Sequence, residues 1–219
     1  MEDLSFNYRE DEEEEDISEK DSETPYPIDD PAPLPMKPYE DFEKNYKKGN
    51  VILNASDFTL FSGEDNESKK EVIIKEYKEE FINKIKDSMN LFNFEISCFE
   101  NFNKNNFKYI CKYLNSYKID NKIILVFEKF STTLKNELIN KTKLSLKEIT
   151  CILIKINEMI KYFSIRQIQD VIFTPETLGI NKNNEGDYFS LLIFHLFPYH
   201  KLKQKKIPKL TNNSFIYIS

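Results

Sequence analysis

The stretch Asp170-Val171-Ile172-Phe173-Thr174-Pro175-Glu176-Thr177-Leu178-Gly179-Ile180-Asn181, taken with Ile193-Phe194-His195 a dozen residues later, decides how the chain is read. Pro175-Glu176 turns the backbone, and Leu178 to Asn181 is a run of strand length. Leu191 to Phe194 then returns as a second apolar run, so the segment predicts a hairpin anchored by a Pro–Glu turn. His195 and His200 are the only histidines. Neither has a nucleophile or carboxylate at a spacing that suggests catalysis, so both are expected to be structural.

The 219 residues suffice for one ordinary domain and a tail, and charge divides the chain in two. Residues 1–50 carry 17 Asp and Glu against 6 Lys and Arg, a net −11; because the whole chain is −6, the rest is +5. The acidic run Glu10 to Asp16 comes first, and six of the nine prolines follow between Pro25 and Pro38. Such material buries too little apolar surface to offset its ordering entropy, so residues 1–48 are expected to form a disordered acidic, proline-rich tail. No apolar run is long enough for a bilayer and no start resembles a signal peptide, which predicts a soluble, cytoplasmic protein. Cys98, Cys111 and Cys151 lie in apolar surroundings without C-x-x-C spacing, so neither a disulfide framework nor a zinc site is expected.

Upstream of the hairpin, Val51–Asn54, Asp57–Phe61 and Glu71–Tyr77 read as three short antiparallel strands, the third carrying Val72-Ile73-Ile74-Lys75. From Lys78 to Phe102 the apolar residues recur at helical spacing, with Phe92, Ile96, Phe99 and Phe102 on one face. Glu95 lies on this segment, twenty residues after Lys75. Phe107–Leu114 and Lys122–Phe130 read as a fourth and a fifth strand. Ser131 onward starts a short helix. Ser145 and Glu148 form a capping box for a longer one, whose residues Ile149, Ile152, Leu153, Ile156, Met159, Ile160 and Phe163 keep a 3.6-residue period.

This succession, three strands with V-I-I-K, a helix with Glu, two strands, a connector, a short and a long helix, a Pro-Glu loop and a hairpin, resembles the protein kinase superfamily from about residue 50 onward. The resemblance implies an α+β, kinase-like fold: residues 49–130 a five-stranded antiparallel N-lobe with helix C, and residues 131–219 a C-lobe truncated after the activation segment. It makes Lys75 and Glu95 the vestige of the nucleotide-binding pair, Phe127 the gatekeeper, and Phe194 the aromatic under helix C, against Phe99. It also implies a catalytically dead member. Aligned on Pro175-Glu176, the H-R-D triplet falls on Asp170-Val171-Ile172, so Ile172 replaces the catalytic aspartate. Thr174 replaces the loop lysine, Thr177 the metal-binding asparagine and Ile193 the D-F-G aspartate. No G-x-G-x-x-G joins the first two strands. Phosphoryl transfer depends on those groups, so no kinase activity is expected.

Phe92-Asn93-Phe94-Glu95-Ile96, Thr132-Thr133-Leu134-Lys135-Asn136-Glu137-Leu138 and Tyr217-Ile218-Ser219 resemble the pseudokinase domain of mixed lineage kinase domain-like protein and its truncated poxviral homologues. That resemblance implies a viral decoy that sequesters a host receptor-interacting kinase and so blocks necroptosis, with no catalytic residue, no resident cofactor or metal, and neither nucleic acid nor membrane as a partner. The alternatives are a pseudokinase scaffold that binds ATP and a fragment of a divergent kinase. With the later C-lobe absent, the apolar face of the Ser145–Phe163 helix is expected to be underpacked or covered by a partner.

Overall fold

The computed structural model describes residues 36–85, 88–140, 145–165, 172–182, 189–196 and 216–217, and the architecture is α+β. A six-stranded sheet is built from β1 (Lys37–Pro38), β2 (Tyr46–Asn54), β3 (Phe58–Asp65), β4 (Glu71–Tyr77), β5 (Tyr113–Ile119) and β6 (Lys122–Glu128), in the order β1-β5-β6-β4-β3-β2. The five longer strands pair antiparallel, as expected. The sixth, β1, runs parallel to β5 and makes the sheet mixed. Residues 36–48, assigned by composition to the disordered tail, are thus part of the fold; residues 1–35 lie outside the described residues. The reason is a short helix, α1 (Tyr39–Asn45), whose Phe42 packs with Tyr46, Tyr117, Ile124, Val126, Val72 and Ile74. Phe42 and Tyr46 supply apolar area that the surrounding charges conceal in an average over the whole segment.

Period-two alternation along the central strands separates two faces. Val72, Ile74, Ile124 and Val126 face α1; Ile73, Tyr77, Ile123, Leu125 and Phe127 face the main core. That core is closed by α3 (Ser88–Lys104), whose Phe92, Ile96, Phe99 and Phe102 are essentially inaccessible, as their spacing predicts. The helix expected over 78–102 is two helices, α2 (Glu79–Lys84) and α3. Ile85 takes an extended backbone and is buried, which ends α2.

The expected fourth strand begins six residues late, at Tyr113. Tyr109 sits at φ 68°, in the left-handed region, which breaks extension there. The apolar residues before Tyr113 serve a different contact. Ile110 bridges to Ile193, while Phe107 and Tyr109 stack edge-on against Tyr162.

After β6 come β7 (Thr132–Thr133), α4 (Leu134–Asn140) and α5 (Leu146–Ile165), then β8 (Ile172–Phe173), β9 (Leu178–Lys182) and β10 (Phe189–Ile193). The predicted hairpin is β9 with β10, paired Ile180↔Leu191, and β7 adds a third strand. β8 pairs with β11 (Ile216–Tyr217). The capping box of α5 is formed: Glu148 N donates to Ser145 Oγ at 3.2 Å and Ser145 N to Glu148 Oε2 at 2.8 Å. Met159 and Phe163 are buried, but Leu146 (80 % exposed) and Leu153 (56 %) are not. α5 therefore buries Met159 and Phe163 and packs Ile152, Ile156 and Ile160 against the core, while Leu146 and Leu153 remain exposed.

Candidate functional site

Strand alternation turns Lys75 of β4 to the same side as Ile73 and Tyr77, toward α3. On α3, Glu95 shares a face with Phe92 and Phe99, three residues before it and four after, and so faces the sheet. The two side chains meet with Lys75 Nζ 2.8 Å from Glu95 Oε1, and both are 0 % exposed. The structure therefore joins the predicted pair and seals it from solvent.

Glu95 is held from three further directions. Tyr77 Oη donates to Oε2, and the backbone N–H of Leu196, beyond β10, donates to Oε1 at 2.9 Å. His195 Nδ1 lies 3.8 Å from Oε1 and 3.4 Å from Tyr77 Oη. Lys75 Nζ is also 3.4 Å from the carbonyl oxygen of Phe194, and lies 4.5 Å from the centroid of Tyr77 and 5.3 Å from that of Phe58. An ammonium over two ring faces gains further electrostatic stabilisation.

Burial lowers the pKa of Lys75 from its ordinary 10.5, and the attraction of Glu95 opposes that fall. His195 is held well below 6.5, because burial and the neighbouring positive charge of Lys75 both disfavour the imidazolium. At neutral pH the histidine is therefore neutral. The lysine's three donors converge on Glu95, the Phe194 carbonyl and the aromatic faces, and none is directed to solvent.

The space above the pair is aromatic. Phe58, at the start of β3, stands edge-on to Phe194 with centroids 6.0 Å apart and tilts over His195 at 5.0 Å. Phe130, just after β6, stacks on Phe194 at 5.1 Å and 20°. All three phenylalanines are 2 % exposed or less. Phe194 was expected against Phe99; its ring partners are Phe58 and Phe130, while Phe99 packs on Phe127 and Tyr113. Phe127 is wholly buried, as a residue at the end of a core strand should be.

The positions aligned with a base and with metal ligands have structural surroundings. Ile172 lies in β8, paired with Tyr217. Thr174 N donates to Thr177 Oγ1 at 3.0 Å, and Thr177 Oγ1 to the carbonyl of Thr174 at 3.1 Å, so these hydroxyls close the Pro175-Glu176 turn. Glu176 pairs with Lys135 of α4. Ile193 is fully buried and makes backbone hydrogen bonds of 2.8 Å to both Tyr109 and Cys111. Asp170 and His200 lie outside the described residues. Cys98 and Cys111 are buried, and burial pushes the Cys111 thiol pKa up, out of reach of a thiolate at neutral pH. Among the described residues no group of three His, Cys, Asp or Glu side chains is placed to hold a metal, and no helix is long and apolar enough to cross a membrane.

Compared with known proteins, the chain matches no protein-family model and no curated sequence. Its own geometry identifies residues that motif reading passed over. Tyr77 was legible in principle, two positions beyond Lys75 on the same strand face. Phe58, Phe130 and His195 were not, because their convergence depends on how the hairpin docks under the sheet.

Proposed function

We propose that this chain is a catalytically inert, protein-kinase-like module that acts by binding another protein. The observation that carries the reading is one of order and place. The strand-borne Lys75 and helix-borne Glu95 meet across β4 and α3, within the succession that resembles a kinase, whereas the aligned base and metal positions hold Ile172, Thr177 and Ile193 in strand, turn and core. Losing those charge-bearing groups together removes the positioning and charge stabilisation that phosphoryl transfer needs. What persists is a shaped surface. The partner implied by the sequence resemblance is a receptor-interacting kinase, which the chain would occupy as a decoy and keep from its own substrate.

The test is co-precipitation of the full chain with such a kinase from cells expressing both. Charge reversal near Glu95 would be uninformative, since that residue is inside the core. Lys104→Glu on the end of α3 and Lys129→Glu on the connector after β6 alter exposed residues instead. Association weakened by either variant supports the proposal; absence of association with the wild-type chain overturns this partner. Phosphate transfer above background, abolished by Lys75→Met, would overturn the claim of inertness.

A further inference from the structure

We infer that Phe58, Phe130 and Phe194, seated over the Lys75–Glu95 pair, are a built-in plug that joins the six-stranded sheet to the β9–β10 hairpin without a bound ligand. The inference rests on the kinase-like reading only for its comparison with nucleotide; the contacts stand without it.

Three independent contacts converge. Phe194 is met edge-on by Phe58 from the sheet and stacked by Phe130 from the connector. Phe130 lies against Gly179 of β9 so closely that a Cβ added there would meet its ring at 2.9 to 3.0 Å, so the hairpin backbone itself forms the floor. Polar contacts cross the same junction. Ser131 N donates to Ile180 O at 2.8 Å, and Leu196 N to Glu95 Oε1 at 2.9 Å.

A site for a polyphosphate needs a lysine able to reach it and backbone free to approach it. Pairing with Glu95 does not by itself prevent that reach, but Lys75 is 0 % exposed and the rings of Phe58 and Tyr77 lie against its ammonium. Offset and edge-to-face ring pairs with this much burial are stabilising in their own right. The interior is therefore complete as it stands, and no nucleotide is required to hold sheet and hairpin together. The face that α3, the connector and the hairpin present to a partner is accordingly constitutive rather than ligand-gated.

Two measurements on the full chain test this. In thermal unfolding, ATP with or without magnesium should leave the wild-type midpoint unchanged. Phe130→Ala should lower the midpoint on the order of 10 °C, and indole or benzene, which fit an apolar void, should restore part of the loss. In hydrogen exchange, Phe130→Leu, a milder variant that keeps the fold, should speed exchange at the Ser131 and Leu196 amides together while the central strands β4 and β6 stay protected. A saturable rise of the wild-type midpoint with nucleotide would overturn the plug, as would wild-type protection of both amides in the two variants. Neither outcome bears on co-precipitation, so the plug and the binding proposal fail separately.

Discussion

Replacing Lys75 by methionine keeps most of the side chain's volume and removes its charge, which isolates the electrostatic role of the pair. At the observed 2.8 Å, an effective dielectric constant of 20 gives an attraction of about 6 kcal/mol. Burying each ion costs several kcal/mol, so the two contributions nearly cancel. The lowered pKa of Lys75, with burial its largest cause, is the same balance seen from the lysine. Removing one partner does not return the system to zero. It leaves the Glu95 carboxylate in the core with donors from Tyr77 and Leu196 but no positive charge beside it, a loss of about 3–5 kcal/mol. For a domain of this size that is roughly 6–20 °C in midpoint. Glu95→Gln should cost a comparable amount, whereas Lys75→Met with Glu95→Gln, carrying no unpaired charge, should recover at least half of the summed loss. Urea denaturation of the four proteins closes the cycle. Two outcomes would refute the reasoning: a single loss below about 1 kcal/mol, the value for a solvated pair, or additivity within about 0.5 kcal/mol, the value for uncoupled sites.

The remaining predictions concern neighbouring features. His195 is neutral and buried in the native state, with Tyr77, Glu95, Lys75 and Phe58 about it. Its folded pKa lies below its unfolded value, so the unfolded chain binds the extra proton. Stability should therefore fall by about 1.4 kcal/mol per pH unit as pH drops below 6.5; equilibrium unfolding between pH 7 and 5 measures that slope, and it should flatten in His195→Gln. Gly179→Ala should destabilise by about 1–3 kcal/mol, because the added methyl meets the Phe130 ring at 2.9 Å in a packed interior. Thermal denaturation checks this, and Ala tolerated without loss would mean that the ring has room to withdraw. Ser145→Ala removes the acceptor for Glu148 N and should cost about 1 kcal/mol together with helical circular dichroism from α5. An unchanged spectrum and midpoint would show that the exposed first turn of α5 is not held by its cap.

Much of the fold was legible because it rests on local pattern. Strand alternation located β3, β4 and β6, helical periodicity located α3 and α5, and Ser145 with Glu148 announced the start of α5. Misreadings arose where a long-range contact overrides a local one. Phe107 to Cys111 has strand-like content, but its aromatics pack on Tyr162 and its backbone bridges to Ile193, so β5 starts only at Tyr113. The exposed apolar positions of α5 show the converse. Ile149 and Leu153 keep the core spacing, yet 40 % and 56 % of their surfaces remain accessible, because periodicity defines a face without supplying the surface that covers it. Phe42 was hidden for a third reason: a charge average over fifty residues weighs an acidic run equally with the short helix α1, which packs.

The fate of Lys75 links these points to function. A lysine kept for phosphate should retain a path to solvent, and a lysine without use should drift to the surface or be lost, since an unpaired buried ammonium is costly. Lys75 does neither; it is fully buried and answered by Glu95, with Tyr77, Phe58 and the Phe194 carbonyl completing its surroundings. Such a residue stays because removing it alone is destabilising even where the pair adds little net stability. The arrangement also ties β4, α3 and the segment after β10 to one point, since Glu95 receives hydrogen bonds from Lys75, Tyr77 and Leu196 at once. A chain that binds through the outer surfaces of those elements gains from fixing their mutual placement. On the binding reading proposed above, charge chemistry at this site serves position: the buried pair fixes β4, α3 and the segment after β10 relative to one another.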